Sequence, residues 1–364
     1  MTSLFAPLEF SRGPAMKNRF MLAPMTNCQS HDDGRLSDDE YRWLTRRARG
    51  GFGLTMTCAS HVQALGRGFP GQLGIFDDAH LEGLTRLAAA IKAAGSLAVV
   101  QLHHAGMRSP PALIGGAPVG PSPDAQTGAR ALSLPEVEQL IEDFIAAAAR
   151  AERAGFDGVE IHGAHGYVLC QFLSPEVNLR TDRYGGSLEN RSRIVFEIVA
   201  GIRGRCRPDF SVGVRLSPER FGMRLQEVRT AAQRLMSEGQ VDYIDMSLWD
   251  VFKEPLEEEF QGRSLMSYFT DLERGPVRLG VAGKITGGAD AARCIDAGAD
   301  FVVIGRAAIL HHDFPERVRA DPGFQSVAVP VSADYLRSEA LGPAFIDYMR
   351  TWKGFVTEVP GLNV

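Results

Sequence analysis

Along the chain, short apolar runs alternate with longer stretches in which apolar residues return every three or four positions. The first pattern marks strands buried on both faces, and the second marks helices that lay one face on a core. Eight runs read as strands: Phe20–Ala23, Leu54–Thr57, Leu97–Leu102, Gly158–Ile161, Ser211–Leu216, Tyr243–Met246, Val277–Ala282 and Phe301–Ile304. Strands that alternate with helices predict a parallel sheet, and eight of them predict a closed α/β structure, the (β/α)8 TIM barrel. Between them, Ile194, Val195, Ile198, Val199 and Ile202 share one helical face, as do Leu140, Ile141, Phe144, Ile145 and Ala148. Gly155 supplies the left-handed residue that ends the second of these helices.

Two connections break the rhythm. Ala105–Ser133 is dense in Pro and Gly, and Leu248–Pro276 carries Trp249, Phe252, Phe260, Tyr268 and Phe269. Both follow predicted strands, so both are expected to rise from the C-terminal face of the barrel, where this fold keeps its chemistry. No shift in composition marks a boundary, so residues 1–364 are expected to form one domain. Residues 330–364 read as a tail in which Tyr348, Arg350 and Trp352 could cover a neighbouring subunit's site in a homo-oligomer.

The formal net charge of −5 gives no electrostatic reason to expect nucleic acid or anionic lipid as partners. Every apolar stretch is interrupted before membrane-spanning length, and the first twenty residues lack the features of a secretory signal. The cysteines Cys28, Cys58, Cys170, Cys206 and Cys294 are odd in number and scattered, which suits a reducing cytoplasm. Small-molecule chemistry is the expectation that remains.

The segment Gly158-Val-Glu-Ile-His162-Gly-Ala-His165-Gly-Tyr167 puts two imidazoles and a phenol just beyond a strand end. Each imidazole can donate an N–H, so the pair can grip a carbonyl oxygen and stabilise an enolate forming there. Tyr167 can then give a proton to the neighbouring carbon. A backbone-bonded histidine is the plainer use of either ring. Metal chelation by His-x-x-His ranks lower, because no third ligand stands at matching spacing.

At this point the chain resembles the Old Yellow Enzyme group of flavin-dependent ene-reductases. The resemblance runs from Phe5 to the eighth predicted strand. It is carried by Asn18-Arg19-Phe-Met-Leu-Ala23-Pro24-Met25-Thr26, Gln101-Leu-His-His-Ala-Gly106, the His162/His165/Tyr167 segment, the Asn178–Arg191 motif, Val214-Arg215 and Ile304-Gly305-Arg306. It implies bound FMN, NADPH or NADH as hydride donor, and electron-poor alkenes such as unsaturated carbonyl or nitro compounds as acceptors.

The resemblance also implies roles. Ala23, Pro24 and Met25 would wall the isoalloxazine, Thr26 would bond its O4 edge, and Ala59 would meet it through backbone. The amide of Gln101 offers the donor and acceptor that the pyrimidine edge needs. Arg215 would stabilise the anionic reduced ring, in preference to a salt bridge with a barrel carboxylate. The turns at Gly283 and at Gly305-Arg306 would hold the phosphate. No G-x-G-x-x-G signature favours a dinucleotide, so FMN is expected rather than FAD. Trp249 and Phe69 would shape the substrate mouth, and the Asn178–Arg191 motif would fix a loop.

Two positions depart from the family's pattern. Cys28 stands where one branch has a substrate-facing tyrosine, leaving more room and one donor fewer, and Cys58 replaces a frequent acidic residue. Two rival readings remain at this stage: a flavin-free barrel isomerase or metal-dependent hydrolase, and a flavin-binding module that reduces no alkene.

Overall fold

The computed structural model describes residues 4–357. Its principal strands are β1 (Phe20–Leu22), β2 (Leu54–His61), β3 (Leu97–His103), β4 (Gly158–Gly163), β5 (Ser211–Leu216), β6 (Tyr243–Ser247), β7 (Arg278–Ala282) and β8 (Phe301–Ile304). Each pairs in parallel with its sequence neighbours, and β1 closes on β8 with Phe20, Met21 and Leu22 opposite Val302, Val303 and Ile304. The barrel predicted from the apolar runs is therefore the barrel that forms.

Alternation along each strand sends every second side chain inward. Met21, Leu54, Met56, Leu97, Val99, Phe301 and Val303 fill the lower interior, joined by Leu8, Phe10 and Met16 from the N-terminal segment. The ring of Phe10 lies 5.7 Å from Tyr243 and 6.4 Å from Phe301, so the end where the strands begin is stoppered by aromatic rings. Gly213 faces the Tyr243 ring so closely that any Cβ there would collide with it. One step further along the same inward rows, apolar residues give way to Gln101, Glu160, Arg215 and Asp245.

The outer layer follows the helical spacings. Helices α1 (Asp38–Arg49), α2 (Leu81–Ala93), α3 (Leu134–Arg153), α4 (Leu188–Arg205), α5 (Leu225–Glu238) and α6 (Gly288–Asp296) surround the strands. The carboxylate of Glu136 accepts from both the N–H and the hydroxyl of Ser133 at 2.8 Å, which closes the start of α3. Val137, Leu140, Ile141, Phe144, Ile145 and Ala148 then bury one face, and Gly155 takes a φ of +88° just past the end. Losing a ring such as Phe144 from that face would cost about 3–5 kcal/mol.

The Asn178–Arg191 motif fixes a loop, as its composition suggested. The amide of Asn178 donates to the carbonyls of Phe172 and Tyr184 at 2.7 Å, and Arg180 reaches the Pro121 carbonyl at 3.0 Å, tying in the Pro/Gly-rich excursion. The tail packs on its own barrel: Phe345 lies edge-on to Trp43 at 5.3 Å, and the Gly342 N–H donates to Gln29 at 2.8 Å. Among the described residues, no helix is long and apolar enough to cross a membrane.

Candidate active site

The polar layer at the top of the barrel interior is set by strand register. Gln101 of β3 lies opposite Glu160 of β4, and its amide N–H donates to Glu160 Oε1 at 2.8 Å. Arg215 of β5 lies opposite Asp245 of β6, with Nε 3.0 Å from a carboxylate oxygen. That pair is close but lacks hydrogen-bond alignment, and Glu160 Oε2 and both Asp245 oxygens are buried without an aligned donor. Burial pushes Glu160 up to about 8, with the Asp245 charge adding and Arg215 opposing. Burial raises Asp245 too, against the pull of Arg215. The salt bridge that seemed the lesser use of Arg215 is thus present, while the same side chain also lines the cavity above.

That cavity has a volume of about 610 Å³ and opens at the C-terminal face. Of the residues expected at the flavin, Ala23, Pro24, Met25, Arg215, Gly283, Gly305 and Arg306 line it, as do His165 and Trp249. Thr26, Ala59, Gln101, Cys28, His162 and Tyr167 stand outside that lining. Gly283 holds a φ of +147°, and a Cβ there would come within 2.7 Å of the Trp249 and Asp250 backbone, so only glycine lets the loop after β6 cross so near.

These residues fit FMN. The backbone of Ala23–Met25 gives a flat wall, and Lys284 is paired with Asp250 at 3.0 Å, whereas Arg306 has no carboxylate partner among the described residues. An unpaired guanidinium beside the turns at Gly283 and Gly305, all three lining the cavity, is a donor set that suits a phosphate monoester. Cys28, half-buried, has its thiol pushed up to about 11 by burial and by Glu40, so it stays a neutral, small side chain.

His162, His165 and Tyr167 come together, although not in the pose expected for gripping a ligand. His162 is the last residue but one of β4 and its ring lies 5.0 Å from His165 and 5.1 Å from Tyr167. Burial, reinforced by the cations Arg215 and Arg108, holds both imidazoles well below their usual pKa, so both are neutral. The tautomers then follow from the partners. His162 Nδ1 accepts from the Ala164 N–H at 3.2 Å, so its proton sits on Nε2 and points to His165 Nδ1 at 3.3 Å. The His165 proton is left on its own Nε2, donating to the Ser247 hydroxyl at 2.7 Å. The two donors are spent along this chain. Burial raises the Tyr167 phenol above its usual value, with Arg108 over the ring opposing, so Tyr167 keeps its proton.

Several site residues escaped the reading of the sequence. Ser247 was legible in principle, because it ends a strand on the inward row. Arg108, whose guanidinium lies 4.9 Å from the Tyr167 ring and donates to the His165 carbonyl, comes from the Pro/Gly-rich excursion and bears no mark. His103 packs edge-on to Tyr167 at 4.4 Å with its Nε2 buried and unpartnered. Trp352, expected over a neighbour's site, lines the cavity of its own chain. Among the described residues, no group of three His, Cys, Asp or Glu side chains is arranged to hold a metal.

Comparison with known proteins gives this geometry a context. The family model described as NADH:flavin oxidoreductase / NADH oxidase matches residues 3–322. The chain is similar to the probable NADH-dependent flavin oxidoreductase YqiG of Bacillus subtilis, with 38% identity over 87% of each protein. It is 36% identical to the NADH:fumarate oxidoreductase of Klebsiella pneumoniae over 87% of this chain, which spans 36% of that larger protein. Among solved structures, the old yellow enzyme homologue from Zymomonas mobilis superposes with a TM-score of 0.79 at 28% identity, covering 95% of this chain and 99% of that one.

Proposed function

Because this chain belongs to the NADH:flavin oxidoreductase / NADH oxidase family, which the old yellow enzymes share, it is an FMN-dependent NAD(P)H oxidoreductase, and we propose that it reduces activated carbon–carbon double bonds. The proposed acceptors are α,β-unsaturated carbonyl or nitro compounds. FMN supplies the hydride chemistry when bound, and the protein's own groups supply binding, orientation and a proton. The observation that carries the reading is the set of two neutral imidazoles and a protonated phenol beside a cavity of flavin size.

An acceptor's oxygen would take the N–H donors that His162 and His165 otherwise pass to each other and to Ser247. Neutral donors suit this task, because they strengthen their hydrogen bonds as negative charge grows on that oxygen. Tyr167 holds the proton destined for the α-carbon, and Arg108 over its ring eases loss of that proton. Ala23, Pro24, Met25, Thr26, Ala59, Gln101 and Arg215 are the proposed isoalloxazine contacts; Gly283, Gly305 and Arg306 the proposed phosphate contacts; Cys28 and Trp249 the proposed acceptor contacts. We assign the barrel and its tail to one domain, and five unpaired cysteines suit a reducing cytoplasm.

Anaerobic mixing tests this reading. NADPH or NADH should bleach the flavin, and 2-cyclohexenone should restore its colour much faster than buffer alone. A purified protein that takes up no FMN points to a flavin-free barrel enzyme, and a flavin that bleaches but ignores every enone sinks the acceptor assignment.

A further inference from the structure

Around the cavity mouth, two loops hold bulky residues in a conformation that side chains avoid. Arg220 and Phe221, in the loop after β5, have φ of +64° and +53°, and Trp249, after β6, has φ of +68°. Left-handed backbone at such residues costs of order 1–3 kcal/mol each and persists only where the surroundings impose it. Here they do: the Met223 N–H donates to the Arg220 carbonyl at 2.8 Å, and the Trp249 backbone is pressed against Gly283.

The product of this strain is a platform. Trp249 lines the flavin cavity yet remains 55% exposed, and the guanidinium of Arg220 lies 4.6 Å from the centre of its ring. Arg220 is exposed and has no carboxylate partner among the described residues, unlike its neighbours Glu219 and Lys253, which are paired to each other. Stacking an unpaired cation on an exposed indole contributes little to a folded chain in water. It is instead the arrangement that receives an aromatic base and a phosphate together. The chain carries a net charge of −5, but Arg220 and Arg306, neither paired with a carboxylate among the described residues, stand at this one opening, which favours approach of a polyanion.

We infer that Trp249 and Arg220 form the docking platform for the adenosine diphosphate half of the nicotinamide nucleotide, with adenine on the indole and the guanidinium on phosphate. The inference rests on NAD(P)H being the hydride donor and adds where the remote half of that donor is held. Binding energy taken there would orient the nicotinamide without touching the reacting atoms.

Two measurements test it on the oxidised, FMN-loaded protein. Calorimetric titration with ADP-ribose and with its 2′-phosphate should show binding to the wild type, weakened about tenfold by Trp249→Ala, in line with the loss of one base-stacking partner. Arg220→Gly should weaken binding of at least one of the two by about five- to twentyfold, as expected for a charge-assisted bond at an exposed site. Because glycine relaxes the left-handed backbone, Arg220→Gly should keep or raise the Tm, so lost binding cannot be laid to misfolding. In kinetics, the kcat/KM for NAD(P)H relative to that for 1-benzyl-1,4-dihydronicotinamide, which lacks the adenosine diphosphate half, should fall by a similar factor in Arg220→Gly. An unchanged ratio, or no binding of either ADP-ribose by the wild type, overturns the inference. A wild type bleached by neither donor would instead defeat the oxidoreductase reading itself.

Discussion

The floor of the cavity and its rim are built on opposite principles. The floor is the layer of strand residues beneath the cavity, Gln101, Glu160, Arg215 and Asp245, of which Arg215 reaches the lining; their neighbours are dictated by parallel register and their polar atoms are enclosed. The rim consists of loop residues, His165, Tyr167, Arg220 and Trp249, three of them with positive φ and each held by contacts from elsewhere in the chain. The floor's charges depend on one another for their burial. The rim's groups do not depend on one another for burial of charge, and they are the ones proposed to orient the reactants. Substitutions in the floor should therefore register as stability, and substitutions in the rim as rate or affinity at nearly constant stability.

The sharpest rim test is Tyr167→Phe. Loss of a positioned proton donor should slow reoxidation by an enone about 10²- to 10⁴-fold, while reduction by NADPH and the Tm stay near wild type, as read by stopped flow and thermal melts. Equal loss in both half-reactions would break the assignment. On the floor, Arg215→Met leaves Asp245 buried without its cation and should cost about 3–5 kcal/mol in urea unfolding. Adding Asp245→Asn should recover most of that; a floor that tolerates Arg215→Met alone would erase the contrast.

Smaller effects follow. His162→Ala with His165→Ala should weaken phenol binding about ten- to hundredfold with FMN retained, by optical titration, since two hydrogen-bond donors are lost. Unchanged phenol affinity would remove the pair from the site. The smallest effect concerns pH. Glu160 has a folded pKa of about 8, above its unfolded value, so the folded chain keeps a proton that the unfolded chain releases. The stability this proton confers is complete below the unfolded value and is lost as pH rises toward the folded one. Wild-type Tm should thus decline between about pH 5 and about pH 8, and Glu160→Gln should flatten that decline. An identical slope in the variant would show that Glu160 is ionised in the folded chain.

The contrast also decides what could be read from the sequence. Runs such as Ser211–Leu216 and Phe301–Ile304 are strands over the residues that their apolar character marks. β2 and β4 extend further, to His61 and Gly163, because register with the next strand keeps polar residues extended where hydrophobicity no longer signals it. The floor was legible to the same degree, since Gln101 and Arg215 stand near strand ends, although a barrel carboxylate was named only as the lesser partner of Arg215 and Glu160 was not foreseen as the partner of Gln101. The rim was not. A positive φ at Arg220 or Trp249 leaves no mark in composition, and the course of the tail that brings Trp352 to the cavity is set by contacts such as Trp43 with Phe345, three hundred residues apart in the chain.

The aromatic stopper formed by Phe10, Tyr243 and Phe301 has a consequence for the order of events. A flask with one neck admits and discharges through the same passage, so under the proposed function nucleotide and alkene would share the C-terminal mouth. If, as proposed, both also use the same flavin face, steady-state plots should run parallel in the ping-pong manner, and an excess of either reactant should obstruct the other.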